Sequence, residues 1–454
     1  MFADTRSLAE IRQALDAGHL HSEALTEEAL ARARTPEGRI VFTESFEDAA
    51  LAQARATDQL RKVGIPLGPL AGIPVSVKDL FDVAGHQTRA GSRVLAESPP
   101  AKMDAPAIAR LRAAGAVIVG HTNMTEFAFS GLGVNPHYGT PGNPWDRNHV
   151  AGGSSSGAAV SVSDGMAFAG IGTDTGGSVR IPAAFCGLTG FKPTWGRSDL
   201  GGTIPLSTSL DSIGPIARSV ACCALLGAVL AGEQPRTPQP LRGLRLAAPQ
   251  SYVLDGLDDA VATAYARALS ALSAAGARID DVRFDHLAKV PDLLAGGGIT
   301  AAESYAWHRR LLAEKGDLYD PRVRSRIERG AGISAADYLD LLAARADQIA
   351  TMDRALAPFD AAVMPTVAIV APKIADLESD DDYSRFNLLA LRNPSVSNLL
   401  GLCCASVPCQ RPGDLPVGLS VVGRGDTDRH ILGVAVTVEK VLQDAGLGLP
   451  EAGR

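Results

Sequence analysis

Cysteine is rare in this sequence, and its positions exclude the small folds that depend on disulfide bonds or structural zinc. Six cysteines occur among 454 residues, and no pair of them has the spacing of a zinc-binding motif. No cluster of histidine, cysteine and aspartate has ligand spacing either, so we expect a protein that works without a metal. The six thiols are expected to be buried apolar side chains in a reducing compartment.

Long uncharged hydrophobic runs and an excess of positive charge are also absent. No apolar stretch approaches the roughly 20 residues that a membrane-spanning helix requires. Residues 1–18 form an amphipathic pattern with charges throughout, which is not typical of a signal peptide. The formal net charge of −7 leaves no basic surface for nucleic acid. These absences predict a cytoplasmic protein that binds neither a membrane nor nucleic acid.

Predicted helices and strands alternate along most of the chain. Hydrophobic residues amount to 46% but aromatic ones to only 5%, so the core is expected to be aliphatic. Ser7 and Glu10 form a capping-box pattern that opens a helical N-terminal segment, residues 1–65. A short strand at 73–77 then ends at Lys78. The later alternation favours an α/β fold in one large domain, residues 1–454, with the N-terminal segment packed on it.

Three short segments carry the candidate chemistry. Lys78 is an isolated lysine in PVSVKDLFDV, and AGGSSSG at 151–157 and GTDTGGSVRIP at 172–182 follow it. A serine hydroxyl attacks a carbonyl only when a base takes its proton, and a lysine can be that base once burial makes it neutral. Glycines also allow consecutive backbone amides to point at one spot, as an oxyanion hole requires. The three segments together predict nucleophilic serine catalysis without histidine.

Two other interpretations of the serine cluster are weaker. GSSSG at 153–157 fits the G-x-S-x-G elbow of α/β-hydrolases with Ser155 in the centre, but a polar loop precedes it where the elbow requires an apolar strand. The downstream histidines His286, His308 and His430 have no motif around them. A flexible linker is also disfavoured, because the apolar sequence AAVSVSDGMAFAGIG follows the cluster.

The segment 152–182 resembles the amidase signature family along its whole length. It matches through GGSSSG and then through Asp174, Gly176, Ser178, Val179, Arg180 and Pro182. The resemblance extends to GIPVSVKDLF, GHTNMTEFAF, CGLTGFKPTWGR, DSIGPIARS and VGLSVVG, so it covers nearly all of the chain. It implies the amidase signature fold, which is a central mixed β-sheet surrounded by helices. It also implies hydrolysis of small amides with no metal and no organic cofactor.

The resemblance further implies a Ser–cis-Ser–Lys triad. Ser178 would be the nucleophile that forms an acyl-enzyme, and Lys78 would be the base. Ser154 would relay the proton between them, and it would follow a cis peptide bond from Gly153.

The resemblance also implies roles for the residues around this triad. Four consecutive backbone amides would form the oxyanion hole, those of Thr175, Gly176, Gly177 and Ser178. Ser155 would support the triad by hydrogen bonding. Asp174 and Arg180 would pair with each other and brace the turn that carries Ser178.

A stand-alone amidase, as a monomer or a homodimer, is the leading functional interpretation. Anilides, carbamates or urethanes, and esters are open as substrates beside simple amides. The alternative within the family is the glutaminase subunit of an aminoacyl-tRNA amidotransferase. The pattern at 303–327 and the replacement of an acidic residue of that subunit around Leu391 count against it. A catalytically silent binding protein is disfavoured because all three triad positions are filled.

The acyl pocket is expected to be lined by three segments in which the pattern is least informative, 121–150, 299–345 and 384–404. Three aromatic side chains in them could form apolar walls or could belong to the core, Phe127, Phe129 and Trp307.

Overall fold

Helices make up most of the N-terminal segment, as its periodicity predicts. The structure, a computed structural model, describes residues 7–449. Ser7 and Glu10 exchange the two hydrogen bonds of a capping box at the start of the first helix. This segment contains α1 (Leu8–Asp16), α2 (Ser22–Ala33), α3 (Gly38–Val41) and α4 (Glu47–Lys62). One short strand between them was not predicted from the sequence, β1 (Phe42–Ser45).

The rest of the chain alternates between strands and helices. The strands are β2 (Pro74–Lys78), β3 (Val117–Thr122), β4 (Ala169–Asp174), β5 (Thr189–Lys192), β6 (Ser212–Ala217), β7 (Arg245–Pro249), β8 (Arg278–Val282), β9 (Ala361–Pro365), β10 (Cys403–Pro408) and β11 (Gly418–Gly423). The helices are α5 (Pro106–Ala113), α6 (Ser156–Ser163), α7 (Arg180–Phe185), α8 (Val220–Ala231), α9 (Asp259–Ala274), α10 (Val290–Leu294), α11 (Gly298–Lys315), α12 (Pro321–Glu328), α13 (Ala335–Leu356), α14 (Asp380–Leu399) and α15 (Asp428–Asp444).

All eleven strands of the described chain belong to one mixed sheet. Their order across the sheet is β1-β3-β2-β4-β6-β5-β10-β11-β9-β7-β8. β2 is parallel to both β3 and β4, and β7 is parallel to both β8 and β9, whereas the other neighbours are antiparallel. The helices surround this sheet in a single domain, which confirms the α/β fold and the mixed sheet expected from the sequence.

Two neighbouring parallel strands bring the candidate residues to one edge of the sheet. Val77 of β2 lies opposite Ile171 of β4. Because the carboxyl ends of parallel strands lie at the same edge, Lys78 at the end of β2 is close to the turn that follows β4. Open α/β sheets commonly bind ligands at this edge.

The core on both sides of the sheet is mainly aliphatic. The residues of β2, β4, β10 and β11 are buried along their whole length, as expected for strands that are covered on both faces. All six cysteines are free and buried, which agrees with their expected role as small apolar side chains. Within residues 7–449, no helix is both long enough and apolar enough to cross a membrane.

Helix α14 is the largest element that was not predicted from the sequence. It spans 20 residues and contains Pro394 in its interior. A proline lacks the backbone N–H of a helix interior, and its ring clashes with the carbonyl four residues before it, so its presence argues against a helix. Packing compensates for this defect. The neighbouring Asn393 side chain donates to the carbonyls of Val253 and Pro365, at 2.9 Å in each case.

Candidate active site

Lys78 is buried among hydroxyl groups. It is the last residue of β2, and its side chain has no exposed surface. Its Nζ atom donates to Ser154 Oγ at 2.7 Å and to Thr173 Oγ1 at 3.1 Å. Thr173 lies on the neighbouring strand β4, so the sheet itself supplies the second partner. No carboxylate is hydrogen-bonded to this amine among the described residues.

Burial changes the protonation of Lys78. It lowers the pKa of the amine from 10.5 to about 7, while the negative charges of Asp211 and Asp174 act in the opposite direction. The charged form loses hydration in the protein interior, so the neutral form is favoured. A substantial fraction of Lys78 is therefore a neutral amine near pH 7, and such an amine can accept a proton.

Ser154 is held by the backbone on both sides. The peptide bond between Gly153 and Ser154 is cis. The amide of Gly153 donates to the Gly131 carbonyl at 2.8 Å, and the carbonyl of Ser154 accepts from the Thr125 amide at 3.1 Å. A Cβ atom on Gly153 would lie 2.5 Å from the backbone nitrogen of Gly133, so a side chain does not fit there.

Ser178 lies next to this arrangement. Its carbonyl accepts a hydrogen bond from the Ser155 amide at 3.3 Å. Ser178 is 3% exposed, whereas Ser154 and Ser155 are 0% exposed. Among the described residues, no hydrogen bond joins Ser178 Oγ to Ser154 Oγ. The structure therefore brings Lys78 and Ser154 into direct contact and connects Ser178 to them through the backbone.

The turn that carries Ser178, residues 174–178, folds around the carboxylate of Asp174. Asp174 accepts hydrogen bonds from the amides of Gly177 (2.8 Å), Val179 (3.1 Å) and Arg180 (3.3 Å). Gly177 has a φ of +127°, a conformation that residues with a side chain rarely adopt. A buried carboxylate requires donors on its oxygens, and these amides supply three of them.

This arrangement corrects the predicted oxyanion hole at one position. The Gly177 amide was expected to be free for an oxyanion, but it is donated to the carboxylate of Asp174. The buried negative charge attracts the nearest N–H group more strongly than a neutral acceptor would. Among the described residues, three of the four predicted amides donate no hydrogen bond, those of Thr175, Gly176 and Ser178.

Asp174 and Arg180 form a fully buried ion pair, as their expected role as a brace requires. Arg180 donates from Nε to one carboxylate oxygen at 3.0 Å and from Nη2 to the other at 2.8 Å. Burial alone would raise the pKa of Asp174, but the Arg180 guanidinium holds it well below its usual range. Asp174 therefore carries a negative charge that Arg180 balances at short range.

Helix α14 adds a third member to this ion pair. The Asn398 side chain donates to the carbonyl of Asp174 and to its carboxylate, at 2.9 Å in both cases. It also accepts from Arg180 Nη2 at 2.6 Å. Asn398 was missed in the sequence because nothing around it has a motif that points to this contact, and α14 itself was not predicted.

Two further residues at the site lie inside motifs that were recognised, although neither was assigned a role. Thr173 precedes Asp174 in the segment GTDTGGSVRIP. Asp211 begins DSIGPIARS, and its carboxylate accepts from Thr175 Oγ1 at 2.5 Å. Burial raises the pKa of Asp211 to about 6. Their place inside motifs that match the family was the signal that could have found them.

Ser155, which was expected to support the triad by hydrogen bonding, donates its amide to Ser178 but forms no hydrogen bond through its side chain within residues 7–449. Its Oγ atom is buried and has no hydrogen-bond partner among the described residues. It packs against the backbone of β4, where a Cβ atom on Gly172 would clash with it. Ser155 therefore contacts Ser178 through its amide and not through its hydroxyl, because the side chain points toward the strand.

The interpretation of GSSSG as a hydrolase elbow also fails in three dimensions. The three candidate histidines contact other residues: His286 contacts Met352, His308 contacts Tyr319, and His430 faces Asp360. None of them is hydrogen-bonded to Ser155 in the described part of the chain. In residues 7–449, no group of three or more histidine, cysteine or acidic residues is placed to hold a metal ion.

Helix α14 also covers the turn 174–178. Ser395 Oγ donates to the Gly176 carbonyl at 3.3 Å, and a Cβ atom on Gly177 would lie 2.7 Å from Pro394. A Cβ atom on Gly176 would lie 3.6 Å from Leu391 Cδ2. The segment 384–404 therefore contacts the turn that carries Ser178.

The three candidate aromatic residues of the acyl pocket differ in their surroundings. Phe127 is buried in an aromatic cluster, with ring centroids 4.4 Å from His308, 5.3 Å from Tyr319 and 6.0 Å from Trp307. Trp307 remains partly exposed at the edge of that cluster. The carbonyl of Phe129 accepts from Arg326 Nη1 at 2.9 Å. Packing within the core explains Phe127 without a role in substrate binding.

Comparison with known proteins identifies the family. Residues 24–432 match the family described as Amidase. The chain belongs to the amidase signature family. As an amidase, it hydrolyses amides, which confirms the enzyme class predicted from the sequence.

Individual relatives of this amidase cover nearly its whole length. It is 36% identical over 457 residues to a 2-amino-5-chloromuconic acid deaminase of Comamonas testosteroni, with 98% of both chains covered. It is also 36% identical over 471 residues to a glutamyl-tRNA(Gln) amidotransferase subunit of Chloroflexus aurantiacus, with 95% of both chains covered. A crystal structure of an amidase superposes on this chain with a TM-score of 0.88 at 34% identity. The superposition covers 98% of this chain and 100% of the other.

Proposed function

We propose that Lys78, Ser154 and Ser178 form a Ser–cis-Ser–Lys triad that hydrolyses the C–N bond of small amides through an acyl-enzyme on Ser178. The observation that carries the proposal is the contact of 2.7 Å between Lys78 Nζ and Ser154 Oγ inside the protein. A buried lysine with a pKa of about 7 has the proton affinity that a general base requires at neutral pH.

The reaction proceeds in two halves. Neutral Lys78 takes the proton of Ser154, Ser154 takes the proton of Ser178, and Ser178 Oγ forms a bond to the amide carbon. The C–N bond then breaks, and the amine leaves with a proton returned through Ser154. Water attacks the acyl-enzyme while the same relay takes its proton, and the carboxylic acid is released as Ser178 is protonated again.

Ser178 suits the role of nucleophile better than its neighbours do. Ser178 has some exposed surface, whereas Ser154 and Ser155 have none, so a substrate carbonyl can approach Ser178. The unpaired amides of Thr175, Gly176 and Ser178 belong to the same turn and can donate to the oxyanion. Ser154, by contrast, is already hydrogen-bonded to the base, as a relay would be.

Labelling with an organophosphonate or a sulfonyl fluoride tests this assignment. We expect one label per chain on the peptide that contains Ser178, and no label in Ser178→Ala. The matched control is Ser155→Ala, which removes a hydroxyl without a partner and is expected to keep the label. A label that maps to Ser155 would overturn the mechanism, and a label on Ser154 would exchange the roles of the two serines.

The enzyme is further proposed to act alone. The deaminase relative supports this proposal, since its name describes an enzyme in its own right. The sequence around Leu391 supports it as well, because the acidic residue of the amidotransferase subunit is replaced in this region, and the apolar side chain of Leu391 lies beside Gly176. The equal identity to that subunit makes it the second candidate.

An assay of the purified chain separates the two candidates. A stand-alone amidase is expected to hydrolyse at least one member of a panel of chromogenic anilides, carbamates, esters and primary amides. Release of ammonia from glutamine, restricted to mixtures that contain the other amidotransferase subunits, would show that the second candidate is correct.

A further inference from the structure

Asp211 connects the loop before β6 to the turn that carries Ser178. Its carboxylate accepts from the Thr175 hydroxyl at 2.5 Å. Thr175 supplies one of the three unpaired amides of the site, so the position of its side chain also affects the direction of that amide. Asp211 is 5% exposed, and the hydrogen bond to it is therefore little affected by solvent.

The carboxylate of Asp211 is itself held rigidly. The Leu206 amide donates to Oδ2 at 3.0 Å, and the Ser207 amide donates to both oxygens at 3.1 and 3.2 Å. Helix α11 anchors this loop from outside, because Glu303 accepts from the Ser207 hydroxyl at 2.6 Å. The hydroxyl of Tyr338 donates to the same Glu303 at 2.6 Å. The loop cannot move without breaking several hydrogen bonds.

Asp211 is also the negative charge at the site that no cation balances at short range. The charged groups that act on Lys78 are Asp211 and Asp174. Asp174 is paired with Arg180, whose two nitrogens contact its two oxygens. Asp211 forms no ion pair among the described residues, and the positive charge of Lys78 acts on it. The two hydrogen-bond partners of Lys78, Ser154 and Thr173, are uncharged. The negative charge of Asp211 therefore acts on Lys78 without compensation from a neighbouring positive charge.

We propose that Asp211 is a positioning residue of the amidase reaction, which holds Thr175 in the geometry of the oxyanion site and whose negative charge acts on the base Lys78. The proposal rests on the proposed role of Lys78 as the base. The two effects are separable, because one depends on a hydrogen bond and the other on a charge.

The direction of the charge effect follows from the sign of the electrostatic interaction. A negative charge near an amine favours the protonated amine, so removing the charge lowers the pKa of Lys78. The active form has a neutral Lys78, and kcat/KM therefore rises as the pH increases through this pKa. Without the charge of Asp211, that rise is expected at lower pH.

Asp211→Asn tests the charge, because asparagine keeps the shape and an acceptor oxygen for Thr175, although its NH2 group replaces the oxygen that accepts from the Leu206 and Ser207 amides. We expect the rise of kcat/KM to occur at lower pH, by roughly half a pH unit or more. Thr175→Val removes the hydrogen bond and keeps the carboxyl group of Asp211. It is expected to lower kcat by about tenfold, in the range for loss of a positioning contact.

The matched control is Asp428→Asn. Asp428 is a buried acid that accepts from the amide and the hydroxyl of Thr194, at 2.8 and 2.6 Å, and it is not among the charges that act on Lys78. Its substitution is expected to leave the rise of kcat/KM in place. If Asp211→Asn does not fold, Asp211→Ser carries the same prediction.

The outcomes distinguish this proposal from the one on which it rests. A rise of kcat/KM at the wild-type pH in the folded Asp211 variants, or a shift to higher pH, would overturn the role of Asp211. Full activity of Lys78→Ala would instead overturn the proposed base. The positioning role of Asp211 is tested independently of that base: if Thr175→Val has the kcat of the wild type, this role is contradicted.

Discussion

The two fully buried lysines of the sheet differ in what their amines contact. Lys78 ends β2 and donates to the hydroxyls of Ser154 and Thr173. Lys192 ends β5 and donates to the carbonyl of Pro193 at 2.7 Å. Burial lowers the pKa of both amines, to about 7 for Lys78 and about 8 for Lys192. The two lysines are alike in residue type, burial and position at a strand end.

The partner of each amine determines its chemistry. A hydroxyl can give its proton to a neutral amine, whereas a carbonyl can only accept a hydrogen bond. Lys192 also lies near Arg180, which lowers its pKa, and near Asp174 and Asp428, which raise it. Burial thus makes both amines easier to deprotonate than a lysine in water, but only Lys78 contacts a group that can deliver a proton.

The largest effect is expected for Lys78 itself. Lys78→Ala should reduce kcat/KM by about 10³-fold or more, as expected for loss of a general base whose proton relay has no substitute. Lys78→Arg should not restore activity, because a guanidinium stays protonated. Steady-state kinetics with the best substrate of the amide panel measures both. A near-normal rate for the arginine variant would show that Lys78 acts only as a positive charge.

A smaller effect, on stability, is expected for Lys192. Lys192→Met should lower the free energy of unfolding by about 1–3 kcal/mol, because the Pro193 carbonyl loses its buried donor. Chemical denaturation measures this change. The pH at which kcat/KM rises should stay at its wild-type value, since Lys192 is not among the groups that act on Lys78. A loss of turnover comparable to that of Lys78→Ala, in a folded variant, would contradict the distinction between the two lysines.

The smallest effect is expected from removal of metal ions. No cluster suited to a metal occurs among residues 7–449, and protein groups surround both amines. Treatment with a chelator should therefore leave kcat/KM unchanged within the error of the assay. Activity that is lost on chelation and restored by zinc would mean that a metal, and not Lys78, activates the nucleophile.

Local sequence patterns predicted the helices and strands around the site more successfully than they predicted the contacts within the site. The capping box at Ser7 and the strand that ends at Lys78 both depend on neighbouring residues, and both are present in the structure. Helix α14 was missed because Pro394 argues against a helix, while the contacts that stabilise it come from distant segments. Those contacts have no signal in the local sequence.

The site itself was predicted in part. The motif around Ser178 contains the residues of the turn, but the donation of the Gly177 amide to Asp174 depends on how that turn closes around a buried charge. The direction of the Ser155 hydroxyl toward Gly172 depends on the packing of α6 against β4. Neither orientation follows from residue spacing.

The sequence by itself determined most of the order of strands and helices, because local periodicity and turn residues specify these elements. It also supplied the residue types of the proposed triad and the glycines that allow the turn 174–178. Only the tertiary structure decided which buried lysine contacts a hydroxyl, and that Asp211 acts on Lys78. Burial and charge at one position depend on groups far away in sequence, and Lys78 and Lys192 look alike until the sheet brings those groups together.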